Sequence, residues 1–261
     1  MKKEQKPYGT VLFKAAKILD YLSNNPESSL QDIVKGVDST SSTTLKILDT
    51  LVLIGYVTRQ SNKIYRLGNK LIQYADQNTE RKNLVDLTQP YLEELQSKID
   101  ETIHLGILDN NEIFYLNKIE PKSQTVLMSS KIGNTRPLYN SAMGKAVLAE
   151  FTDKEIEQYL LSANIIPYTV HTKTNPDEIK KEIMNVRKHA VAYDNEEVEK
   201  DIFCIGASLI NNNKILGAFS ISMPKYRVNN SFSYQMAKEI RKTKTEIEKV
   251  INDDYSFADY E

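Results

Sequence analysis

Cysteine and tryptophan are scarce in this 261-residue chain, which has one cysteine and no tryptophan. A lone thiol, Cys204, cannot form an internal disulfide, so a fold stapled by disulfides is excluded. The three histidines (His104, His171 and His189) and this cysteine also lack the spacing of metal ligands. The sequence contains no phosphate-binding glycine loop and no hydrolase nucleophile motif. We therefore expect no metal and no cofactor.

Long apolar runs are missing too. No segment approaches the ~18 consecutive apolar residues that indicate a membrane-spanning helix. The basic start, residues 1–7, leads into no uninterrupted apolar stretch of the kind found in secretion signals. With 40% hydrophobic and 26% charged residues, the composition is typical of a globular protein with a substantial core. Together with the single cysteine, these features predict a cytoplasmic protein with no membrane partner.

The net charge of −1 hides an uneven distribution. Residues 1–75 contain 11 lysines and arginines against 6 acidic residues, a net charge of +5. The remainder contains 23 against 29, a net charge of −6. A basic N-terminal part followed by an acidic remainder predicts that only the N-terminal part binds a polyanion such as nucleic acid.

Residues 1–68 have the pattern of a winged helix-turn-helix, a DNA-binding domain. Apolar residues at helical spacing predict a first helix over residues 10–23. A capping-box spacing at residues 29–32 begins a short second helix. A third helix follows the turn at residues 38–40, and it has one apolar side and one side of short hydroxyls and a cation. Such a polar side suits the major groove, where short donors and acceptors meet base edges and phosphates.

The wing is predicted from two β-branched and aromatic segments, residues 56–59 and 64–67, around a polar turn. A polar-faced helix is by itself equally typical of a solvated amphipathic helix, and the flanking wing with its cations favours DNA. The residues that we expect to contact double-stranded DNA are Ser39, Ser41, Ser42, Thr43, Lys46, Arg59, Lys63 and Arg66.

The rest of the chain predicts an α+β domain. Residues 69–83 are polar and compatible with a helical linker, and residues 84–261 form the second domain. That domain begins with a helix over residues 84–98, which Pro90 is expected to kink. Apolar runs separated by turns then predict an antiparallel sheet with packed helices. The predicted strands are 102–108, 113–119, 125–130, 191–193, 204–210 and 215–222, and the predicted helices are 141–150, 155–162, 176–189 and 232–251.

An ordered set of motifs resembles the IclR family of bacterial transcriptional regulators over residues 8–250. The motifs are Leu-Asp-Thr-Leu at 48–51, Gly-Tyr-Val at 55–57, Tyr-Arg-Leu-Gly at 65–68, Glu-Thr-Ile-His-Leu at 101–105, Gly133, Pro137, Ser-Ala-Met-Gly-Lys at 141–145, Asp-Asn-Glu-Glu at 194–197, Cys204 and Ser-Ile-Ser at 220–222. The resemblance implies a winged helix-turn-helix, a helical linker and a GAF-like effector-binding domain. It also implies a homodimer or homotetramer that binds pseudo-palindromic operators near catabolic genes.

The same resemblance implies an effector site formed by Ala142, Met143, Asp194, Cys204, Ser220 and Ser222. Its chemistry favours a small organic or sugar acid. The free backbone N–H groups at the start of a helix over 141–150 can hold a carboxylate. Ser220 and Ser222 lie two residues apart on one strand, so both hydroxyls face the same way.

Some of these residues also have purely structural interpretations. Asp194 would equally cap a turn, and Cys204 is typical of a small buried hydrophobe. His104, inside an apolar strand, is expected to be a packed structural residue. Lys145 is expected either on a solvated helix face or paired with a carboxylate.

The sequence therefore predicts a ligand-responsive transcriptional regulator, not an enzyme, and a repressor that its ligand releases from DNA. Two alternatives stay open at this point. One is a thiol-dependent enzyme that uses Cys204, which would need a base within hydrogen-bond reach. The other is a constitutive DNA-binding dimer that has no effector.

Overall fold

The computed structural model describes residues 9–61, 63–75, 79–123 and 128–253. The chain divides into two compact units, Met1–Thr79 and Glu80–Glu261. Each unit has a hydrophobic core of its own. Among the described helices, none combines the length and apolarity needed to cross a bilayer.

Three helices and a small sheet form the first unit. The helices are α1 (Thr10–Asn24), α2 (Leu30–Gly36) and α3 (Ser41–Leu53). The predicted capping box is present, because the Ser29 hydroxyl accepts from the Asp32 N–H and the Asp32 carboxylate accepts from the Ser29 N–H. Leu48 and Leu51 of α3 are buried against Ile18 of α1, so the apolar side of α3 faces the core as predicted.

The small sheet contains the predicted wing. Its strands are β1 (Ser28–Ser29), β2 (Val57–Arg59) and β3 (Ile64–Leu67), antiparallel in the order β1-β3-β2. The wing strands are confirmed, with β2 one residue shorter than expected. The two-residue strand β1 was not predicted, because so short a pairing leaves no pattern in the sequence.

Two helices follow, α4 (Lys70–Ala75) and α5 (Thr79–Ile99). Residues 76–78 between them lie outside the described part of the chain. Helix α5 begins before the predicted residue 84 and runs on through Pro90.

A six-stranded antiparallel sheet forms the centre of the second unit, in the order β6-β5-β4-β9-β8-β7. Its strands are β4 (Thr102–Asp109), β5 (Glu112–Ile119), β6 (Thr135–Pro137), β7 (Ala192–Asn195), β8 (Ile202–Asn211) and β9 (Lys214–Pro224). Asn110 and Asn111 make the tight turn between β4 and β5, and both have positive φ, which asparagine tolerates better than most residues. Asn212 and Asn213 do the same between β8 and β9.

One predicted strand, at residues 125–130, is not supported. Residues 124–127 lie outside the described part of the chain, and residues 128–130 are not in a strand. The edge strand is instead β6, which pairs with the first three residues of β5. Only three residues long and ending in Pro137, β6 has no alternation from which it could be predicted.

Four further helices cover the sheet: α6 (Ala142–Glu150), α7 (Asp153–Ser162), α8 (Pro176–His189) and α9 (Asn230–Asp253). The α+β fold class is confirmed. One hydrophobic cluster joins α5 and α9 to inward residues such as Ile103, Ile205 and Ile221. A second cluster joins α6, α7 and α8 to the sheet. Because strand side chains alternate, His104, next to Ile103, points away from the α5–α9 cluster.

Candidate functional site

The start of α3 presents the polar surface that the sequence predicts. Thr40 caps the helix, and its Oγ1 accepts from the Thr43 N–H at 3.3 Å. Ser41, Ser42 and Lys46 are exposed, while Thr43 is half-buried, as is Ser39 in the preceding turn. Short hydroxyls and one cation are therefore available on the side of α3 that does not pack.

The wing adds three exposed cations, Arg59, Lys63 and Arg66. The Arg59 guanidinium lies 5.6 Å from the centre of the Tyr65 ring, and Arg66 Nε donates to Thr58 Oγ1 at 3.2 Å. Within the described residues, none of these three cations forms an ion pair with a carboxylate. Their charge is thus available to an external anion.

In the second unit, a cavity of about 40 Å³ lies between the start of α6 and the face of the sheet. All six residues expected at an effector site line it: Ala142, Met143, Asp194, Cys204, Ser220 and Ser222. They meet because the polar positions of β8 and β9 face α6, while the intervening positions enter the α5–α9 cluster. Their role in binding a ligand remains a prediction.

The sheet side of the cavity carries a chain of hydrogen bonds. His104 Nε2 lies 2.7 Å from Ser130 Oγ, and His104 Nδ1 lies 3.2 Å from Ser222 Oγ. Ser222 Oγ in turn lies 3.0 Å from Cys204 Sγ. Burial, helped by the positive charge of Lys118, lowers the pKa of His104 to about 3, so the ring is neutral. His104 is a packed residue as predicted, and it also contacts the cavity.

Asp194, on the edge strand β7, caps a turn and also lines the cavity. Its Oδ1 accepts from the backbone N–H of Glu197 at 2.7 Å and of Val198 at 3.4 Å, so it caps a turn. The residue is buried and also lines the cavity. Burial raises its pKa to about 7, against the opposing effect of the Lys145 charge.

Cys204 has the environment of an unreactive thiol. Burial raises its pKa well above the usual range, and the neighbouring Asp194 charge adds to this effect. In the chain of hydrogen bonds, Ser222 lies between Cys204 and His104. Nucleophilic cysteines need the thiolate form, which this environment disfavours.

The start of α6 has free backbone donors on two residues that line the cavity, Ala142 and Met143. The Ser141 hydroxyl donates to the Pro137 carbonyl at 2.9 Å and accepts from the Gly144 N–H at 3.1 Å. The N–H groups of Ala142 and Met143, in the first turn, have no partner within the helix. Gly144 allows this close packing, since a Cβ there would lie 2.4 Å from Leu138 Cα.

Lys145, on the next turn of α6, is buried and pairs with carboxylates. Its Nζ lies 2.5 Å from Glu197 Oε1 and 2.9 Å from Glu182 Oε2. Lys173 joins the cluster 2.6 Å from Glu182 Oε1. Of the two expectations for Lys145, the pairing is confirmed and the solvated helix face is wrong. Its uninterrupted small and apolar neighbours on α6 were the signal for burial.

The cavity is also lined by residues that the sequence did not single out, and Tyr115, Arg136 and Glu199 are the ionisable ones among them. Burial raises the pKa of Tyr115, so its phenol is protonated. Arg136, on β6, is half-buried and makes no ion pair within the described residues. Glu199 accepts from Ser129 Oγ at 2.5 Å. Among the described residues, no group of three or more His, Cys, Asp or Glu side chains is placed to hold a metal ion.

Two family models match the chain. The IclR helix-turn-helix domain matches residues 11–61. The bacterial transcriptional regulator IclR C-terminal domain matches residues 76–249. The two matches together cover the polar surface of α3, part of the wing and all the residues of the cavity.

Relatives that match over most of their own length are transcriptional regulators. An uncharacterized HTH-type transcriptional regulator of Haemophilus influenzae is 32% identical over 95% of this chain and 94% of its own length. The HTH-type transcriptional regulator KdgR of Dickeya chrysanthemi is 29% identical over 83% of this chain and 71% of its own length. The transcriptional repressor IclR of Escherichia coli is 25% identical over 83% of this chain and 81% of its own length.

Solved structures share the fold. The crystal structure of the Thermotoga maritima IclR protein superposes with a TM-score of 0.79 at 31% identity, covering 94% of this chain and 100% of that one. With matched domains over most of its length and regulators as relatives, this chain belongs to the IclR family of bacterial transcriptional regulators and is a DNA-binding regulator.

Proposed function

We propose that this regulator is a repressor of catabolic genes whose operator binding is weakened by a small organic or sugar acid. The observation that carries the proposal is the cavity, where a helix N-terminus, serine hydroxyls and an arginine meet. A site of this kind lets the chain respond to a metabolite, whereas a constitutive DNA-binding dimer would need none.

The cavity chemistry suits an acid with a further oxygen. The N–H groups of Ala142 and Met143 and the positive end of the α6 dipole favour a carboxylate. Arg136 adds a formal positive charge at the same cavity. Ser220 is buried, and within the described residues its hydroxyl has no hydrogen-bond partner, so it is available to the ligand. Asp194 and the Tyr115 phenol would contact a hydroxyl or carbonyl of the ligand.

On DNA, α3 would enter the major groove and the wing would follow the backbone. Ser39, Ser41, Ser42, Thr43 and Lys46 would meet base edges and phosphates, and Arg59, Lys63 and Arg66 would neutralise phosphates. A homodimer or homotetramer would place two such helices in successive major grooves, roughly 34 Å apart, on a pseudo-palindromic operator. Residues 69–83 would serve as the linker between the DNA-binding and effector-binding domains.

Repression is supported by the likeness to the repressor IclR of Escherichia coli. The effector would act by binding one arrangement of the protein better than another, which shifts the population away from the arrangement that binds DNA. The free energy by which the acid shifts this equilibrium can be no larger than the difference between its binding free energies for the two arrangements.

The test combines a ligand screen with DNA binding. In a thermal-shift screen of organic, sugar and aromatic acids, we expect one class to raise the melting temperature. The same acid should lower the affinity for DNA taken from upstream of the gene, measured by fluorescence anisotropy. If DNA binds but no acid changes either quantity, the constitutive alternative is correct. An acid that strengthens DNA binding would contradict the repression-and-release mechanism.

A further inference from the structure

A second, larger cavity of about 320 Å³ lies at the β6 edge of the sheet. Its walls come from the turn between β4 and β5, from residues 137–139 and from the segment after α7. No residue lines both this cavity and the effector cavity. Neither the proposed repression nor the acid effector makes use of it.

A buried hydroxyl at this cavity has an uncommitted hydrogen. Tyr159 Oη accepts from the backbone N–H groups of Leu138 and Tyr139, both at 3.1 Å. Within the described residues, no acceptor takes the hydrogen of the Tyr159 hydroxyl itself. Burial raises the pKa of Tyr159 to about 12, so the hydrogen is present at neutral pH. Because Tyr159 is 95% buried and lines the cavity, a bound molecule can supply the missing acceptor.

The remaining polar groups of the cavity are amides, hydroxyls and one carboxylate, from residues such as Asn164, Ser162 and Glu112. The residues that line it include no lysine and no arginine, so an anion finds no countercharge there. A side-chain amide can both donate and accept hydrogen bonds, and a carboxylate has two acceptor oxygens. This set of groups complements the hydroxyls of a ligand, because each hydroxyl can donate one hydrogen bond and accept others. The exposed ring of Tyr168 adds an apolar surface against which the C–H face of a sugar ring can pack.

Neighbouring residues of one segment, 136–143, line the two cavities. Arg136, Ser141 and Met143 line the effector cavity, while Pro137 and Tyr139, between them in sequence, line the second. The Ser141 hydroxyl donates to the Pro137 carbonyl. A displacement of Pro137 at the second cavity would therefore be transmitted to the start of α6 at the first. Two sites linked in this way have the physical contact through which binding energies can be coupled.

We propose that this second cavity binds a neutral polyhydroxylated molecule of monosaccharide size, separately from the acid effector. The oxygen acceptors of such a molecule take the Tyr159 hydrogen, and its hydroxyls bond to Asn164 and Glu112. This inference is independent of the proposed function, since it stands whether or not an acid binds the first cavity.

The test is saturation-transfer NMR on the full chain with D-glucose, D-xylose and myo-inositol as probes. D-gluconate and D-glucosamine serve as the anionic and cationic comparisons. The variants are Asn164→Ala and Tyr168→Ala, both at exposed positions, with Asn185→Ala on the exposed side of α8 as the matched control. At least one neutral probe should bind, and each of the two cavity variants should weaken it about fivefold, the effect of one lost contact. Asn185→Ala should bind the probe as the parent does.

Three results would overturn the proposal. They are the absence of transfer from every neutral probe, affinities unchanged by both cavity variants, and a preference for gluconate or glucosamine over the neutral probes. Addition of an acid found in the thermal-shift screen separates the two cavities. Displacement of the bound sugar by that acid, together with sugar affinities unchanged in Asn164→Ala and Tyr168→Ala, would place the sugar in the first cavity and contradict a second site.

Discussion

Lys145 Nζ lies 2.5 Å from Glu197 Oε1, and both side chains are almost fully buried. The pair joins α6, whose first turn lines the proposed effector cavity, to the turn that Asp194 caps. Glu182 of α8 completes the arrangement on the other side of the ammonium. One buried charge therefore fixes the position of two cavity walls.

Removal of this charge should strongly destabilise the protein. Among the described residues, Lys145→Met leaves the buried Glu197 with Lys173, 3.4 Å away, as its remaining cation. We expect a loss of about 3 kcal/mol or more in the free energy of unfolding, measured by urea denaturation. The matched control is Lys180→Met, which removes the exposed pair with Glu157 and should cost less than about 1 kcal/mol. Equal losses in the two variants would show that the buried pair contributes no more than a surface pair.

Because the pKa of Asp194 is raised, the free energy of unfolding should decrease as the pH rises. A carboxyl whose pKa rises from about 4 when unfolded to about 7 when folded holds its proton in the folded state, so its contribution to stability falls as pH rises from 4 to 7. Asp194→Asn keeps an oxygen that can accept from Glu197 and Val198, but it cannot ionise. Relative to the parent, the variant should gain about 2 to 4 kcal/mol in free energy of unfolding between pH 4.5 and pH 8.

Urea denaturation of both proteins across that pH range measures the difference. Asp86→Asn, at an exposed position of α5, controls for the removal of a carboxylate as such. A constant difference between Asp194→Asn and the parent at every pH would contradict a raised pKa.

The two serines of β9 should separate ligand binding from stability. Ser220→Ala removes a hydroxyl that has no partner within the described residues, so the free energy of unfolding should change little. Its affinity for the acid found in the screen should fall about fivefold to tenfold. Ser222→Ala breaks the chain between His104 and Cys204, and it should cost about 1 kcal/mol of stability. Calorimetric titration and urea denaturation of both variants test this, and the reverse pattern would exclude Ser220 as a ligand contact.

The wing cations should contribute to the salt dependence of DNA binding. Each of Arg59→Ala, Lys63→Ala and Arg66→Ala should reduce the slope of log affinity against log salt by about 1, because one phosphate contact is lost. The loss should be similar for operator and unrelated DNA. Lys188→Ala, at an exposed position of α8, serves as the control and should leave the slope unchanged. Anisotropy titrations at several salt concentrations give the slopes, and three unchanged slopes would remove the wing from the DNA interface.

Much of the fold follows from local signals. The bounds of α8 were predicted correctly, because Asn175 caps it and Pro176 occupies its first position. The asparagine pairs marked both tight turns of the sheet. The short edge strand β6 could not be predicted, since its pairing depends on β5 and leaves no pattern in three residues. Helix α5 contains Pro90, where the sequence predicts a kink, and it continues beyond that residue.

The candidate site shows the same limit. The alternation of Ser220 and Ser222 placed them on one face, and the family motifs supplied the rest. Tyr115, Arg136 and Glu199 reach the cavity through the order of the strands and the path of the loops, which no local pattern encodes. The partner of the buried Lys145 is likewise beyond local prediction, because Glu197 is 52 residues away in sequence.

The alternation of side chains along β8 and β9 has a consequence for divergence within the family. On each strand, one set of positions enters the cluster with α5 and α9, and the intervening set faces the cavity. Substitutions at the cavity positions leave the opposite face of the sheet intact, so under the proposed function the specificity for an acid could change while the fold stays the same. Under the same proposal, a gene duplication followed by a few changes on that one face would be a short route to a regulator that responds to a different acid.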